Sequence, residues 1–112
     1  MSATAIAKIS FFVIMFLGVS FEVAGDYFFK KWSINDQYVV LGIGLLMYFI
    51  GTVFWALSLK FETLSRAITV FVILSLLMAT AVGVLVFHEE LSLANKLGIL
   101  LGIASLLLLE LF

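Results

Sequence analysis

Residues 18–31, GVSFEVAGDYFFKK, place two carboxylates at the end of a run that is otherwise apolar. On a helix, Glu22 would lie ~20 Å from the start of that run at Ile9 and ~12 Å from Lys30, near the middle of a membrane. A charge at the centre of a bilayer costs about 3 to 10 kcal/mol, so an acid there calls for a function. A desolvated carboxyl favours its neutral form, which suits a proton carrier. The alternative is a structural role, in which Glu22 stays protonated and hydrogen-bonds to another helix.

The composition argues against a soluble domain. Of the 112 residues, 65% are hydrophobic and 12% are charged, and the mean hydropathy is +1.32. A chain this short has too little interior to bury so much apolar surface, so we expect lipid around it. The net charge of −1 argues against a nucleic-acid partner. The lack of Cys removes disulfides and most metal sites, and no nucleophile, base and orienting group occur together, so we expect neither an enzyme nor a cofactor.

Four apolar runs, each about 20 residues long, predict the fold. A helix of that length crosses the roughly 30 Å hydrocarbon core and satisfies its own backbone hydrogen bonds. We therefore predict an all-α membrane protein, with one domain over residues 1–112 and antiparallel neighbouring helices. The first run is expected to be a retained span rather than a cleaved signal peptide. The predicted spans are about 9–29, 38–59, 67–87 and 93–112.

The connections between the runs are short. Asn35 and Asp36 are expected to form the first turn, because both residue types favour turns. Ser92 is expected to cap the fourth helix, because its hydroxyl can accept a hydrogen bond from a backbone N–H in the first helical turn.

The basic residues give no preferred orientation in the membrane. Orientation follows the excess of Lys and Arg in the cytoplasmic loops. Here each side carries three, which predicts a mixture of both orientations; the alternative is that so small a count is tied by chance. One side holds Lys8, Lys60 and Arg66, and the other holds Lys30, Lys31 and Lys96.

Asp26 and Lys30 follow Glu22 at four-residue steps. On a helix this spacing puts the three side chains on one face, spread over roughly 80°. Asp26 could therefore bind a cationic substrate together with Glu22. It could equally be neutralised by Lys30, whose long side chain reaches toward the membrane surface.

The second run carries small and aromatic residues at helical spacing, namely Gly44, Tyr48, Gly51 and Trp55. The glycines predict close helix packing, and the rings offer flat faces that could lie against a cation. Packing and substrate contact are equally open for Tyr48 and Trp55.

The fourth run carries a strip of small residues, Gly98, Gly102 and Ser105. Small residues at this spacing let membrane helices approach closely. The strip predicts self-association of the chain, and the alternative is packing within one subunit.

Two segments resemble a known family. FEVAG at residues 21–25, followed by Lys30 eight residues after the acid, resembles the acidic first-helix motif of the small multidrug resistance transporters. Residues 87–105, FHEELSLANKLGILLGIAS, resemble the end of helix three, the loop and helix four in the wider drug/metabolite transporter superfamily. The resemblance covers nearly the whole chain.

The resemblance implies an antiparallel, dual-topology homodimer of four-helix subunits in a bacterial or archaeal inner membrane. It implies exchange of protons for hydrophobic, guanidinium or quaternary ammonium cations, with Glu22 binding proton and cation in turn. Tyr48 then falls on the family's helix-two tyrosine, and Gly98 with Ser105 on its helix-four dimer contact.

The third run departs from the family pattern. The family has a proline-containing loop, a tyrosine, a tryptophan and a glycine-rich kink where this chain has Thr63, Ile68, Phe71 and residues 73–75, respectively. The fold is expected to transfer better than the drug specificity, and a bend in helix three would rely on Ser75 and the small residues after it. The expected proton and substrate site comprises Glu22, Asp26, Tyr48, Trp55 and Phe71, with Gly25, Lys30 and Ser75 in gating or support.

Two other interpretations stay open. The chain could transport a different substrate, such as a polyamine attracted by Asp26, or form half of a heterodimer. Alternatively, it could be a four-helix membrane protein without transport, in which Glu22, Asp26 and Lys30 form a structural polar cluster.

Overall fold

The computed structural model describes residues 2–112, and of Glu110 the backbone alone. This part of the chain folds into four α-helices, which confirms the all-α prediction. The helices are α1 (Ala3–Asn35), α2 (Tyr38–Ser58), α3 (Leu64–Leu85) and α4 (Leu93–Leu111).

Helix α1 extends beyond the predicted span at both ends. It has 33 residues, which at helical rise corresponds to about 50 Å, against a hydrocarbon core of roughly 30 Å. The Ser2 hydroxyl starts it by accepting a hydrogen bond from the Ala5 N–H at 3.1 Å. The end of the apolar run at Phe29 does not end the helix, because nothing between Lys30 and Asn35 prevents helical geometry.

The connection between α1 and α2 consists of only two residues, Asp36 and Gln37. Asp36 adopts a left-handed conformation with φ of 57°, and its N–H donates to the Trp32 carbonyl at 2.7 Å. The Gln37 N–H donates to the Asn35 side-chain oxygen at 3.0 Å. The predicted turn is thus confirmed, and α2 runs back along α1 as its antiparallel neighbour.

Glycines bring α1 and α2 into backbone contact at two levels. A Cβ placed on Gly51 would lie 2.9 Å from the Gly18 carbonyl oxygen, and one on Gly25 would lie 3.0 Å from the Gly44 carbonyl oxygen. The first distance is shorter than real Cβ contacts, and the second is tighter than nearly all of them. The close packing predicted for Gly44 and Gly51 is confirmed, and its partners are glycines of α1.

The core lies between α1 and α3. Along α1, Phe11, Met15, Val19 and Val23 recur every four residues and are buried. They belong to one apolar cluster with the buried residues Ala67 and Val70 of α3. Helix α1 is therefore central, with α2 on one side and α3 on the other.

Helix α4 lies at the periphery. It packs against α3, and none of its described side chains is buried. The Ser92 hydroxyl accepts from the Asn95 N–H at 3.1 Å, as predicted for its cap.

Three of the helices, α1, α2 and α3, are long and apolar enough to cross a membrane. The apolar part of α4, Leu93–Leu109, is shorter. Many large side chains point outward, such as Phe49, which is 68% exposed. The molecule therefore has the surface of a multi-pass membrane protein, and the fourth span stays a prediction.

Candidate functional site

Glu22 lies where α1 and α2 cross, and it is only 8% exposed. Gly51 stands opposite: a Cβ at that position would lie 2.5 Å from Glu22 Cγ. The stem of Glu22 therefore occupies the space that a side chain at position 51 would need. Because position 51 has no side chain, an acid can lie in the contact between the two helices.

One side-chain hydroxyl lies within hydrogen-bond range of the Glu22 carboxylate, and Asp26 of α1 and Tyr48 of α2 are its titratable neighbours. Thr52 Oγ1 donates to the Tyr48 carbonyl oxygen at 2.9 Å and lies 3.5 Å from Glu22 Oε1, a distance that is long for a hydrogen bond. Within residues 2–112, no Lys or Arg forms a salt bridge with Glu22. A buried carboxylate without a basic partner is poorly stabilised as an anion, and it can gain either a proton or a cation.

Asp26 lies one turn further along α1 and lines a cavity beside α3 rather than the contact with α2. It is half-buried and lines a cavity of about 150 Å³ against the end of α3, together with Lys30 and Glu89. No salt bridge joins Asp26 to Lys30. The face expected to carry Glu22, Asp26 and Lys30 together is thus divided: Glu22 contacts α2, and the other two line the cavity beside α3.

Glu89 reaches that cavity because the chain after α3 folds back. His88 adopts a left-handed φ of 56°, and the Glu89 N–H donates to the Gly83 carbonyl at 3.0 Å. The Glu89 carboxylate lies against Gly83, where a Cβ would collide with it. The sequence does not single out Glu89, because its place in the cavity with Asp26 depends on this turn.

The aromatic residues expected at the site pack in two pairs. Tyr48 is 36% exposed, and its ring lies 5.5 Å from that of Phe29 and directly over Gly25. Trp55 of α2 and Phe71 of α3 are in ring contact, with centroids 4.9 Å apart. Tyr48 and Trp55 therefore pack against other rings of the same chain, as one of the two alternatives expected. Their contact with a substrate stays a prediction.

Ser75 differs from several other helical hydroxyls. Its oxygen is buried without a hydrogen-bond partner in the described chain. By contrast, Ser20, Thr69 and Ser105 donate to the carbonyl four residues earlier. The expectation that Ser75 supports a bend in α3 stays a prediction.

The small-residue strip of α4 is open in the single chain. A Cβ on Gly98 would meet nothing within 4 Å, and one on Gly102 would meet only Leu76 and Ile73 side chains, at 3.8 and 4.0 Å. Ser105 is exposed. Packing inside the subunit thus uses little of the strip.

Thr52, like Glu89, is not among the site residues expected from the sequence. Its approach to Glu22 depends on how α2 is rotated about its axis, which the position next to Gly51 does not reveal. Among the described residues, no group of three or more His, Cys, Asp or Glu side chains could hold a metal ion.

Comparison with known proteins identifies no family for the chain. No protein-family model, no curated protein and no solved structure matches it.

Proposed function

We propose that the chain is a proton-coupled antiporter for small hydrophobic organic cations, in which Glu22 binds a proton and a cation in turn. The observation that carries the proposal is the Glu22 carboxylate, buried between two helices and without a basic partner. An ionisable group in such a place is costly, and a structural role alone would be met by a neutral amide.

The exchange follows from competition for one carboxylate. When the cation binds, it neutralises Glu22 and the proton leaves; when a proton binds, the cation is released. If the protein opens to one side of the membrane at a time, a proton gradient then drives the cation in the opposite direction. Tyr48, Trp55 and Phe71 offer aromatic surface near the helix crossing for an apolar cation.

The proposal includes a homodimer of two chains in opposite orientations, in a bacterial or archaeal plasma membrane. The equal number of basic residues on the two sides supports dual orientation. The open strip at Gly98, Gly102 and Ser105 supports a contact between copies. The resemblance of residues 21–25 and 87–105 to small multidrug resistance transporters agrees with both features.

The test is a proton-release titration of the detergent-solubilised protein with a hydrophobic cation, tetraphenylphosphonium. We expect release from the wild type and from Glu90→Gln, the matched control in an exposed loop, and none from Glu22→Gln. Unchanged release by Glu22→Gln would remove this residue from the mechanism. A loss of stability in Glu22→Gln, with no release in any variant, would favour the structural interpretation.

A second candidate is transport of a polyamine, by the homodimer or with a related chain. Asp26 favours it, because this carboxylate has no salt bridge to Lys30 and shares its cavity with Glu89. In the same titration, Asp26→Asn should then weaken spermidine binding more than binding of the monovalent cation. Equal effects on both would contradict this candidate.

A further inference from the structure

We infer that Thr52 is a positioning residue that sets how strongly protons compete with cations at Glu22, because its hydroxyl changes acceptor when Glu22 changes charge. The inference rests on the proposed function and adds a residue that the family resemblance does not include. It depends on the geometry between Thr52 and its two acceptors.

The hydroxyl of Thr52 lies between two acceptors but has one proton to donate. Its oxygen is 2.9 Å from the Tyr48 carbonyl oxygen and 3.5 Å from Glu22 Oε1. The shorter distance is usual for an O–H···O bond and the longer one is not, so the proton lies on the Tyr48 side. The lone pairs of Oγ1 are then available to Glu22.

This arrangement suits a neutral Glu22. The carboxyl O–H can donate to Thr52 Oγ1, and the Thr52 hydroxyl donates in turn to the Tyr48 carbonyl. When Glu22 loses its proton, it can only accept, and rotation of the Thr52 hydroxyl turns that proton toward the carboxylate. The Tyr48 carbonyl keeps its helical bond to the Thr52 N–H, so the rotation leaves no backbone group unsatisfied.

Gly51 explains why the hydroxyl is supplied by position 52 and not by position 51. A side chain on Gly51 would collide with the stem of Glu22, so that position cannot supply a donor. Bonding to the carbonyl four residues earlier is common for helical hydroxyls and occurs also at Ser20, Thr69 and Ser105. Thr52 differs from these three because its second acceptor is a buried carboxylate.

The consequence is a preference for the charged form of Glu22. A hydrogen bond to a carboxylate is roughly twice as strong as one between neutral groups. Without the hydroxyl, Glu22 should hold its proton more firmly, and a cation should compete less well. We expect about a five-fold loss of apparent cation affinity wherever protons compete.

The experiment measures tetraphenylphosphonium binding from acidic to alkaline pH for the wild type, Thr52→Val and Thr52→Ser. Valine keeps the shape without the hydroxyl, and serine keeps the hydroxyl. We expect Thr52→Val to bind about five-fold more weakly at acidic pH and to approach the wild type at alkaline pH, while Thr52→Ser follows the wild type throughout. Thr52→Ala repeats the test if Thr52→Val does not fold.

Three results would overturn the inference while leaving the proposed function intact. These are a Thr52→Val profile equal to the wild type, a loss of the same size at every pH, and a Thr52→Ser profile that follows Thr52→Val. A wild-type affinity that is independent of pH would overturn the proposed function as well.

Discussion

At the scale of single residues, the site depends on what faces Glu22. The acid can lie between two helices because Gly51 leaves it space. Among residues 2–112, its one hydrogen-bonding side chain is the Thr52 hydroxyl rather than a cation. A lysine in the place of Thr52 would neutralise the carboxylate permanently and would leave it unable to exchange ligands. Because no basic side chain in the described chain pairs with it, the carboxylate is available to a proton or a cation.

Gly51→Ala should destabilise the protein by about 1–3 kcal/mol, because the added methyl would overlap Glu22 Cγ and the Gly18 carbonyl oxygen. Thermal unfolding in detergent measures the change. Gly42→Ala is the matched control in the same helix, since a Cβ there would meet nothing within 4 Å and should be neutral or slightly stabilising. Equal unfolding temperatures for the two variants would contradict the close contact at Gly51.

The sequence predicts part of this site. An acid inside an apolar run is conspicuous in any sequence, so Glu22 could be found. Thr52 and Glu89 could not, because their positions depend on the rotation of α2 and on the backward turn at His88. The ion pair considered for Asp26 and Lys30 is absent for a related reason: four-residue spacing permits a contact without enforcing one.

At the scale of helices, α1 and α2 form one unit. Two glycines on each helix, seven residues apart, meet in the antiparallel arrangement, and a two-residue turn holds the register. The sequence predicts the helices because apolar runs of this length have no other stable form in lipid. It misplaces the ends of α1, because the edge of an apolar run marks a membrane boundary rather than a helix terminus.

Asp36→Val should destabilise the turn between α1 and α2 by about 1–2 kcal/mol, because a β-branched residue tolerates the left-handed conformation poorly. Asp36→Gly should be neutral or slightly stabilising, since glycine adopts positive φ without strain. Unfolding in detergent by a chemical denaturant measures both. A valine variant as stable as the glycine variant would contradict the left-handed turn.

At the scale of the whole molecule, α1 organises the packing and α4 adds little to it. Helix α1 contacts both α2 and α3, whereas α4 contacts α3 and buries none of its described side chains. The buried residues come from α1, α2 and α3, and α4 adds the partly buried Leu106 and Leu109 to the apolar cluster. The fourth helix is then available to contact lipid or a second copy.

A chain that ends after Leu91 should keep its three-helix interior and lose its self-association, if α4 forms the contact between copies. Circular dichroism would show whether α1 to α3 remain folded, and size-exclusion chromatography with light scattering would give the mass. Gly98→Leu in the full chain is the finer test, because the side chain would enter open space in one subunit. The same number of chains per particle in both variants as in the wild type would place the contact between copies elsewhere.

The balance of basic residues predicts that one added charge decides the orientation. The chain has no Cys, so Gln37→Cys gives a single labelling site in the first loop. We expect labelling from both sides of the membrane, with a shift to the cytoplasmic side in Asn95→Lys and to the opposite side in Ser65→Lys. Labelling from one side only, and unaffected by either lysine, would contradict dual orientation.

The two-residue connection at Asp36 and Gln37 also bears on how the chain is made. A ribosome delivers α1 first, but so short a connection gives α2 no freedom to settle independently of it. When both helices span the bilayer, they do so as one hairpin, so the side that holds the start of α1 also holds the end of α2. The α1–α2 hairpin therefore takes its orientation as one unit, and any reversal of the chain in the membrane reverses both helices together.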